Sequence, residues 1–302
     1  MISRFDHAVI AVPDLDAAIN RYRALGFDVS LGGEHEGLGT HNAIVRFGLD
    51  YLELLAVHDH ATAKAHPFGW GLMAFLRRRT GGLLGYSMAT ADIDIDAGRL
   101  RRHGLGAEGP FPMARRRPDG TQVSWRLLVP GGIPWRRPWP FLIQWDTPDE
   151  ATAALEEPPD HPNRVTGVAA ITVIVRDLED GRRLHADIFG LEPEHHSGQP
   201  HQTQAGRAAF HVGDFEIKLV APANHDPVRR ELDEVGEGPF EVKLVSEDLG
   251  WSKQHLTRAG ISVHTGWGDG SMLWIPTTAA LGARLGLTGR RPRPRVANQL
   301  KA

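Results

Sequence analysis

The sequence predicts an α+β protein made of four βαβββ units arranged as two pairs. Three observations carry this. An alternating strand, then Asp-Leu-acid, then an amphipathic helix ending in glycine occurs at 7–27, "HAVIAVPDLDAAINRYRALGF", and again at 170–191, "AITVIVRDLEDGRRLHADIFGL". The same outline returns more weakly at 85–105 and 240–261, giving a spacing of roughly 80 residues, the mark of an internal repeat. One Pro- and acid-rich stretch, 146–167, separates the second copy from the third.

Each unit follows from local signals. Asp14 and Asp177 stand where a helix N-cap belongs, and Gly26 and Gly190 where a glycine ends the helix; Gly104 and Gly260 do the same in the other copies. After the first helix, "FDVSL" (27–31), "HNAIVRFG" (41–48) and "YLELLAV" (51–57) read as strands, with a tight turn at Leu49-Asp50. "HPFGWG" (66–71) reads as a loop that packs or closes a pocket mouth. The second unit offers "VSWRLLVPG" (123–131) and "PFLIQWD" (140–146). The third offers "RAAFHVG" (207–213) and "FEIKLVAP" (215–222), and the fourth closes with "SVHTGWG" (262–268) and "MLWIPTT" (272–278). The expected organisation is a domain over 1–148, a linker over 149–164, a second domain over 165–288 and a disordered basic tail over 289–302. Pro292 and Pro294 forbid a helix in that tail.

Composition narrows the function classes. A chain of 302 residues with 41% apolar and 24% charged residues can bury two ordinary cores. A net charge of −3 with no dominant basic face argues against nucleic acid as a partner. With no cysteine, disulfides, thiol nucleophiles, Cys-type zinc sites and iron–sulfur clusters are all excluded. No apolar run approaches the roughly 18 residues of a membrane span, and "MISRFDHAVIAV" turns acidic too early for a signal peptide. A cytoplasmic protein is therefore expected. The basic residues are 29 Arg and five Lys, the bias of a GC-rich bacterial genome.

Four such units in two pairs resemble the vicinal-oxygen-chelate superfamily of glyoxalase I, extradiol dioxygenases and bleomycin- and fosfomycin-resistance proteins. His7, "GTHNAIVRFGLDYLELLAV" (39–57), "RPDGTQVSWRLLVP" (117–130) and "PFLIQWD" resemble the glyoxalase-like domain family more specifically, across roughly 4–147. The second half follows the superfamily by pattern alone, as a degenerate copy. The resemblance implies two tandem domains with curved, mostly antiparallel sheets, each wrapped around a pocket. It also implies a divalent ion held by one side chain from the first strand and one from the last strand of each unit.

In the first unit those positions are His7 and Glu53. Alternation sets His7 on one face with Val9 and Ala11, and Glu53 with Tyr51 and Leu55. A carboxylate in so apolar a strand needs a partner. Such a pair suits Zn, Fe(II), Mn or Ni, with the metal polarising a bound carbonyl or hydroxyl. In the second unit the His position holds Gly85 or Tyr86 and the last-strand position holds Gln144, whose neutral oxygen is a weaker ligand. Glu53 and Gln144 are thus the catalytic candidates, and His7, Glu53 and Gln144 the metal candidates. The same three side chains could instead hydrogen-bond one another in a polar pocket. In the second half Ala170 takes the His position, Lys218 stands near the carboxylate position, and "MLWIP" has no acid. That disfavours an iron triad there unless His211 or His264 serve from other positions, and suggests a supporting or homodimerising role.

His35-Glu36 and His41 lack the i, i+4 helical spacing of HExxH, and Gly37 and Gly39 between them break any helix. Thr40, His41 and Asn42 match the family motif and are ligand-binding candidates at the pocket rim, or else turn and strand-start hydrogen bonders. Ser87 in "GYSMA" lacks the turn of a nucleophile elbow, and no glycine-rich phosphate loop occurs. The second unit is rich in Trp (125, 135, 139, 145) and Arg (115–117, 126, 136, 137), which suits a planar or anionic small molecule or else ordinary packing. Trp125 and Arg126 are the leading pair, because alternation turns one of them inward; Tyr86 completes the ligand candidates. Two readings result. One is a metal-assisted enzyme of lyase, isomerase or dioxygenase-like type acting on a small oxygenated metabolite. The other is a metal-free protein that sequesters an aromatic or anionic compound. A dimeric scaffold without chemistry is the blandest reading. Glyoxalase I activity itself is disfavoured, because that class keeps all four ligands.

Overall fold

The structure, a computed structural model, describes residues 1–155, 159–194, 207–222, 227–265 and 272–289. The first unit is β1 (Ile2–Ala11), α1 (Leu15–Ala24), β2 (Ser30–His35), β3 (Thr40–Phe47) and β4 (Asp50–Val57). Helices α2 (His60–Ala65) and α3 (Pro67–Leu76) lead to the second unit: β5 (Gly82–Thr90), α4 (Ile93–Arg102), β6 (Ala107–Arg116), β7 (Gln122–Pro130) and β8 (Phe141–Trp145). A short helix α5 (Asp149–Leu155) precedes β9 (Val165–Ile174), α6 (Leu178–Arg183), β10 (Glu192–Pro193), β11 (Arg207–Val212) and β12 (Phe215–Val220). Helix α7 (Pro227–Val235) comes before β13 (Gly238–Ser246), α8 (Leu249–Arg258), β14 (His264–Thr265), β15 (Met272–Ile275) and β16 (Leu285–Thr288). The order strand, helix, three strands therefore recurs four times.

The repeat has a repeated local cause. Asp14, Asp92, Asp177 and Asp248 each cap a unit helix by accepting backbone N–H groups. Gly26, Gly104, Gly190 and Gly260 follow those helices with φ between 67° and 83°, a left-handed turn that costs glycine nothing. Within every unit the first and last strands pair in parallel, β1 with β4, β5 with β8, β9 with β12 and β13 with β16. The first eight strands close into a barrel of order β1-β4-β3-β2-β6-β7-β8-β5. The second eight form a sheet of order β10-β11-β12-β9-β13-β16-β15-β14.

Several elements differ from the sequence expectation. "HPFGWG" belongs to α3, because Pro67 opens a helix at its first turn and His66 caps it. "MLWIP" is not the last strand of its unit; β16, "LGLT", takes that place beside β13 and likewise lacks an acid. The first strand after α1 starts at Ser30, later than "FDVSL", since the glycine-rich "LGGEH" extends rather than loops. Part of the linker-like stretch is helical, over Asp149–Leu155. The basic tail lies outside the described residues from 290 onward. No helix among the described residues is long and apolar enough to cross a membrane.

The barrel's outer face and one face of the second sheet share a single apolar core, with the unit helices in the same layer. Phe5 of β1 stacks on Phe215 of β12 with ring centroids 4.2 Å apart. The Tyr22 hydroxyl on α1 donates to the Ala280 carbonyl at 3.2 Å. The barrel interior has a second cluster, including Val9, Phe68, Trp125, Trp135 and Phe141. Each sheet thus has one face committed to the shared core and one free for other work.

Two outcomes test this packing. Phe5→Ala removes a ring that bridges the sheets and should cost about 3–5 kcal/mol in urea unfolding. His185, fully buried, has its Nδ1 2.8 Å from the Gly181 carbonyl. Burial pulls its pKa down to about 4, against the effect of that bond. The folded chain therefore keeps His185 neutral where the unfolded chain, with its ordinary value of 6.5, takes up a proton. Stability should fall by on the order of 3 kcal/mol on this account as pH drops through that window. His185→Phe should flatten that part of a pH series of urea midpoints.

Candidate functional site

A cavity of about 60 Å³ occupies the barrel interior. One side is polar, with His7 of β1, His35 of β2, Asn42 of β3, Glu53 of β4 and Arg115 of β6. The other is aromatic, with Trp125 of β7, Phe141 and Trp145 of β8, and Trp135 from the loop between them. Strand alternation explains which residues arrive: 51, 53 and 55 point inward from β4, and 141, 143 and 145 from β8.

Parallel pairing of β1 with β4 brings Glu53 opposite Val9 and Tyr51 opposite His7. His7 Nε2 then faces Glu53 Oε2 at 3.7 Å. A register shift between Phe5 and His7 marks a bulge, which lets Asp6 swing its carboxylate beside the His7 ring instead of to the opposite face. Asp6 Oδ1 lies 2.7 Å from His7 Nδ1, fixing that nitrogen and aiming Nε2 into the cavity. The His7 ring is also stacked on Tyr51, with centroids 4.6 Å apart. The other Asp6 oxygen accepts from the Trp145 indole and from Arg4, each at 2.8 Å. Burial would raise the Asp6 carboxyl, but the hydrogen bond and charge of His7, the charge of Arg4 and the indole hold it below the ordinary value.

Glu53 has further neighbours. Asn42 Nδ2 donates to Glu53 Oε1 at 2.5 Å, and His35 Nε2 stands 3.6 Å from the same oxygen. His35 Nδ1 is 2.9 Å from the Thr40 hydroxyl. Burial pulls the His35 pKa down to about 4, against the nearby Glu53 charge, so its ring is neutral at pH 7. Arg115 is 4% exposed and hydrogen-bonds the Asn42 side-chain oxygen at 3.4 Å. Burial depresses the guanidinium against the pull of Tyr51 and Glu53. Gly32 makes room for this contact, since a Cβ there would collide with both Asn42 and Arg115.

The sequence-derived candidates separate accordingly. His7, Glu53, Thr40, Asn42 and Trp125 meet in the cavity. Gln144 does not. It lies between two inward residues, so it points out of the barrel, where its oxygen accepts from the Ile93 amide at 3.0 Å and from Arg126 at 2.8 Å. Arg126 points outward with it and pairs with Asp94 at 2.7 Å. His41 is likewise on the outer face, 5.5 Å from the His58 ring. Tyr86 belongs to the core between the sheets. The equivalent of His7 in the second unit is Gly85, and the Trp135 ring lies where a Cβ at 85 would come within 3.0 Å. In the second sheet Ala170 offers no ligand and His264 is exposed, whereas His211 sits across from Glu216.

His35, Arg115 and Asp6 were missed as site residues. His35 hid in a glycine-rich run that reads as loop, and Arg115 was one of six arginines with no reason to be preferred. Asp6 beside His7 was the one visible signal, but plain alternation would have sent it to the wrong face.

Residues 5–189 match the family described as a glyoxalase-like domain. The chain belongs to that family. The glyoxalase-like chain also has the vicinal-oxygen-chelate fold of several solved structures. A hypothetical protein from Staphylococcus aureus matches with TM-score 0.67 at 15% identity, covering 95% of this chain and 99% of the other. A triple mutant of 4-hydroxymandelate synthase from Streptomyces coelicolor matches with TM-score 0.60 at 13% identity, covering 95% and 92%. A xylose isomerase-like TIM barrel/4-hydroxyphenylpyruvate dioxygenase fusion protein gives 0.56 at 10% identity, with 97% of this chain against 50% of that one. At such identities the likeness is one of fold. No curated protein matches the chain.

The Asp6 network gives a direct test. Asp6→Ala leaves Arg4, His7 and Trp145 without their buried acceptor and should cost about 3–5 kcal/mol in urea unfolding. Asp149→Ala removes only the half-exposed partner of Arg4 and should cost under about 1 kcal/mol.

Proposed function

We propose that the barrel of this glyoxalase-like protein binds a small oxygenated metabolite through a divalent metal held by His7 and Glu53, with His35 as the third donor. The observation that carries this is His7 itself, backed at Nδ1 by Asp6 and open at Nε2 toward Glu53 across 3.7 Å. That separation is too long for a hydrogen bond and suits two donors to one ion, each about 2.0–2.2 Å from it. Two imidazoles and one carboxylate are a donor set for Zn, Fe(II), Mn or Ni, and the carboxylate–histidine pair is the usual outer support. Gln144 has no part in it. In this reading residues 1–148 are the pocket-bearing domain and 165–288 a second domain without an equivalent pocket.

A bound divalent ion would supply Lewis acidity toward a carbonyl or hydroxyl oxygen. The chain's own residues would do the rest. Glu53 would carry the negative charge of the site, with Asn42 holding one oxygen so that the other faces His7. Arg115 would offset negative charge that develops on the ligand. Trp125, Trp135 and Trp145 would stack on a planar portion of the ligand and exclude solvent. Lyase or isomerase chemistry is compatible with this arrangement.

The second reading is metal-free binding of an aromatic or anionic compound, favoured by the Trp-lined wall beside a buried Arg115. Elemental analysis of untagged protein separates the two. Under the metal reading the parent retains about one equivalent more than His7→Ala or Glu53→Ala. Equal metal content in parent and both variants, after divalent-ion supplementation, would sink it. Tryptophan fluorescence would then report ligand binding that needs no ion.

A further inference from the structure

The face of the second sheet that turns away from the shared core carries a donor set of its own. On β11 and β12, Phe210, Phe215 and Ile217 enter that core, so alternation sends His211 and Glu216 to the opposite face. His211 pairs directly across from Glu216 on one side and from Glu192 on the other. Glu194 lies two residues beyond Glu192, and its backbone N–H donates to the Ala209 carbonyl at 2.8 Å, which keeps it on the His211 face. The ligand atoms of Glu194, His211 and Glu216 all lie within 4.8 Å of one another.

Two features of this cluster ask for a partner. Both His211 ring nitrogens are shielded from solvent without a hydrogen bond among the described residues. Glu216 is 5% exposed, and its Oε2 makes no hydrogen bond, only an ion pair with Lys218 Nζ at 3.0 Å. Leaving the shielded imidazole unmet is costly, and a Lewis acid meets its lone pair and the two carboxylates together.

We propose that Glu194, His211 and Glu216 form a second, independent site for a first-row divalent cation. Lys218 is the internal charge that balances Glu216 until the cation displaces it. One imidazole and two carboxylates, with no sulfur, select Zn(II), Co(II), Mn(II) or Fe(II) over soft ions. Three protein donors leave coordination positions open to water or a small oxygen ligand. The site sits on the far side of the shared core from the barrel cavity, so neither depends on the other.

The test uses the full chain, stripped with chelator and dialysed to equilibrium against Co(II), with bound metal counted and its visible absorption recorded. The parent should bind one equivalent more than His211→Ala, and Glu194→Gln should weaken that equivalent at least tenfold. Glu194 is half-buried and outside the core, so its variant keeps the test valid if His211→Ala fails to fold. His7→Ala should retain this equivalent, which separates the outcome from that of the barrel site. A parent that binds no Co(II) outside the barrel, or His211→Ala and Glu194→Gln proteins that bind as the parent does, would overturn the proposal.

Discussion

The parallel pairing of first and last strand within each unit is the constraint on which the rest depends. A parallel partner cannot be reached by a hairpin, so each unit must carry its chain across by a helix and two intervening strands. That crossover builds the helical layer and the shared core on one face, and leaves the other face of each sheet free. It also fixes which residues meet: β1 on β4 sets His7 opposite Tyr51 and within 3.7 Å of Glu53, the next inward residue, and β9 on β12 sets Ala170 opposite Glu216. Chemistry is then decided by side chains at a few register positions.

Duplication of the unit has not preserved those side chains. In the barrel only the first unit has His or Glu at the inward positions of its first and last strands, and His35 reaches the cavity from β2, a strand with no such role in the repeat pattern. In the second sheet the donors proposed above lie just past β10 and on β11 and β12, of which only β12 is a strand where the repeat would place one. The framework recurs because capping Asp, terminal Gly and strand alternation are cheap and local. Donor positions drift because any inward residue of a neighbouring strand reaches the same space.

This difference also governs what the sequence revealed. The repeat, two of the four helix N-caps, all four terminal glycines and the likeness between halves were legible, since each rests on spacing along the chain. His7 and Glu53 were legible because a polar side chain at an inward position of an apolar strand stands out. Gln144 was placed wrongly because counting from the last strand of a unit ignores phase; with 143 and 145 inward, 144 must face out. Asp6 escaped because a bulge breaks alternation, and a bulge has no signature in "RFDHAV". Strands β6, β10 and β16 escaped through glycine, proline or brevity, which blunt the period of two.

Trp135 against Gly85 makes the barrel cavity lopsided in a way that its two-unit plan is not. A pseudo-symmetric barrel with matching donors on both sides could hold a ligand either way round. Here one wall is flat carbon and the other is charge, so the two ends of a molecule bound as proposed would not be interchangeable. Glycine at the donor position of the second unit would thereby let the cavity read direction, telling the head of a ligand bound as proposed from its tail.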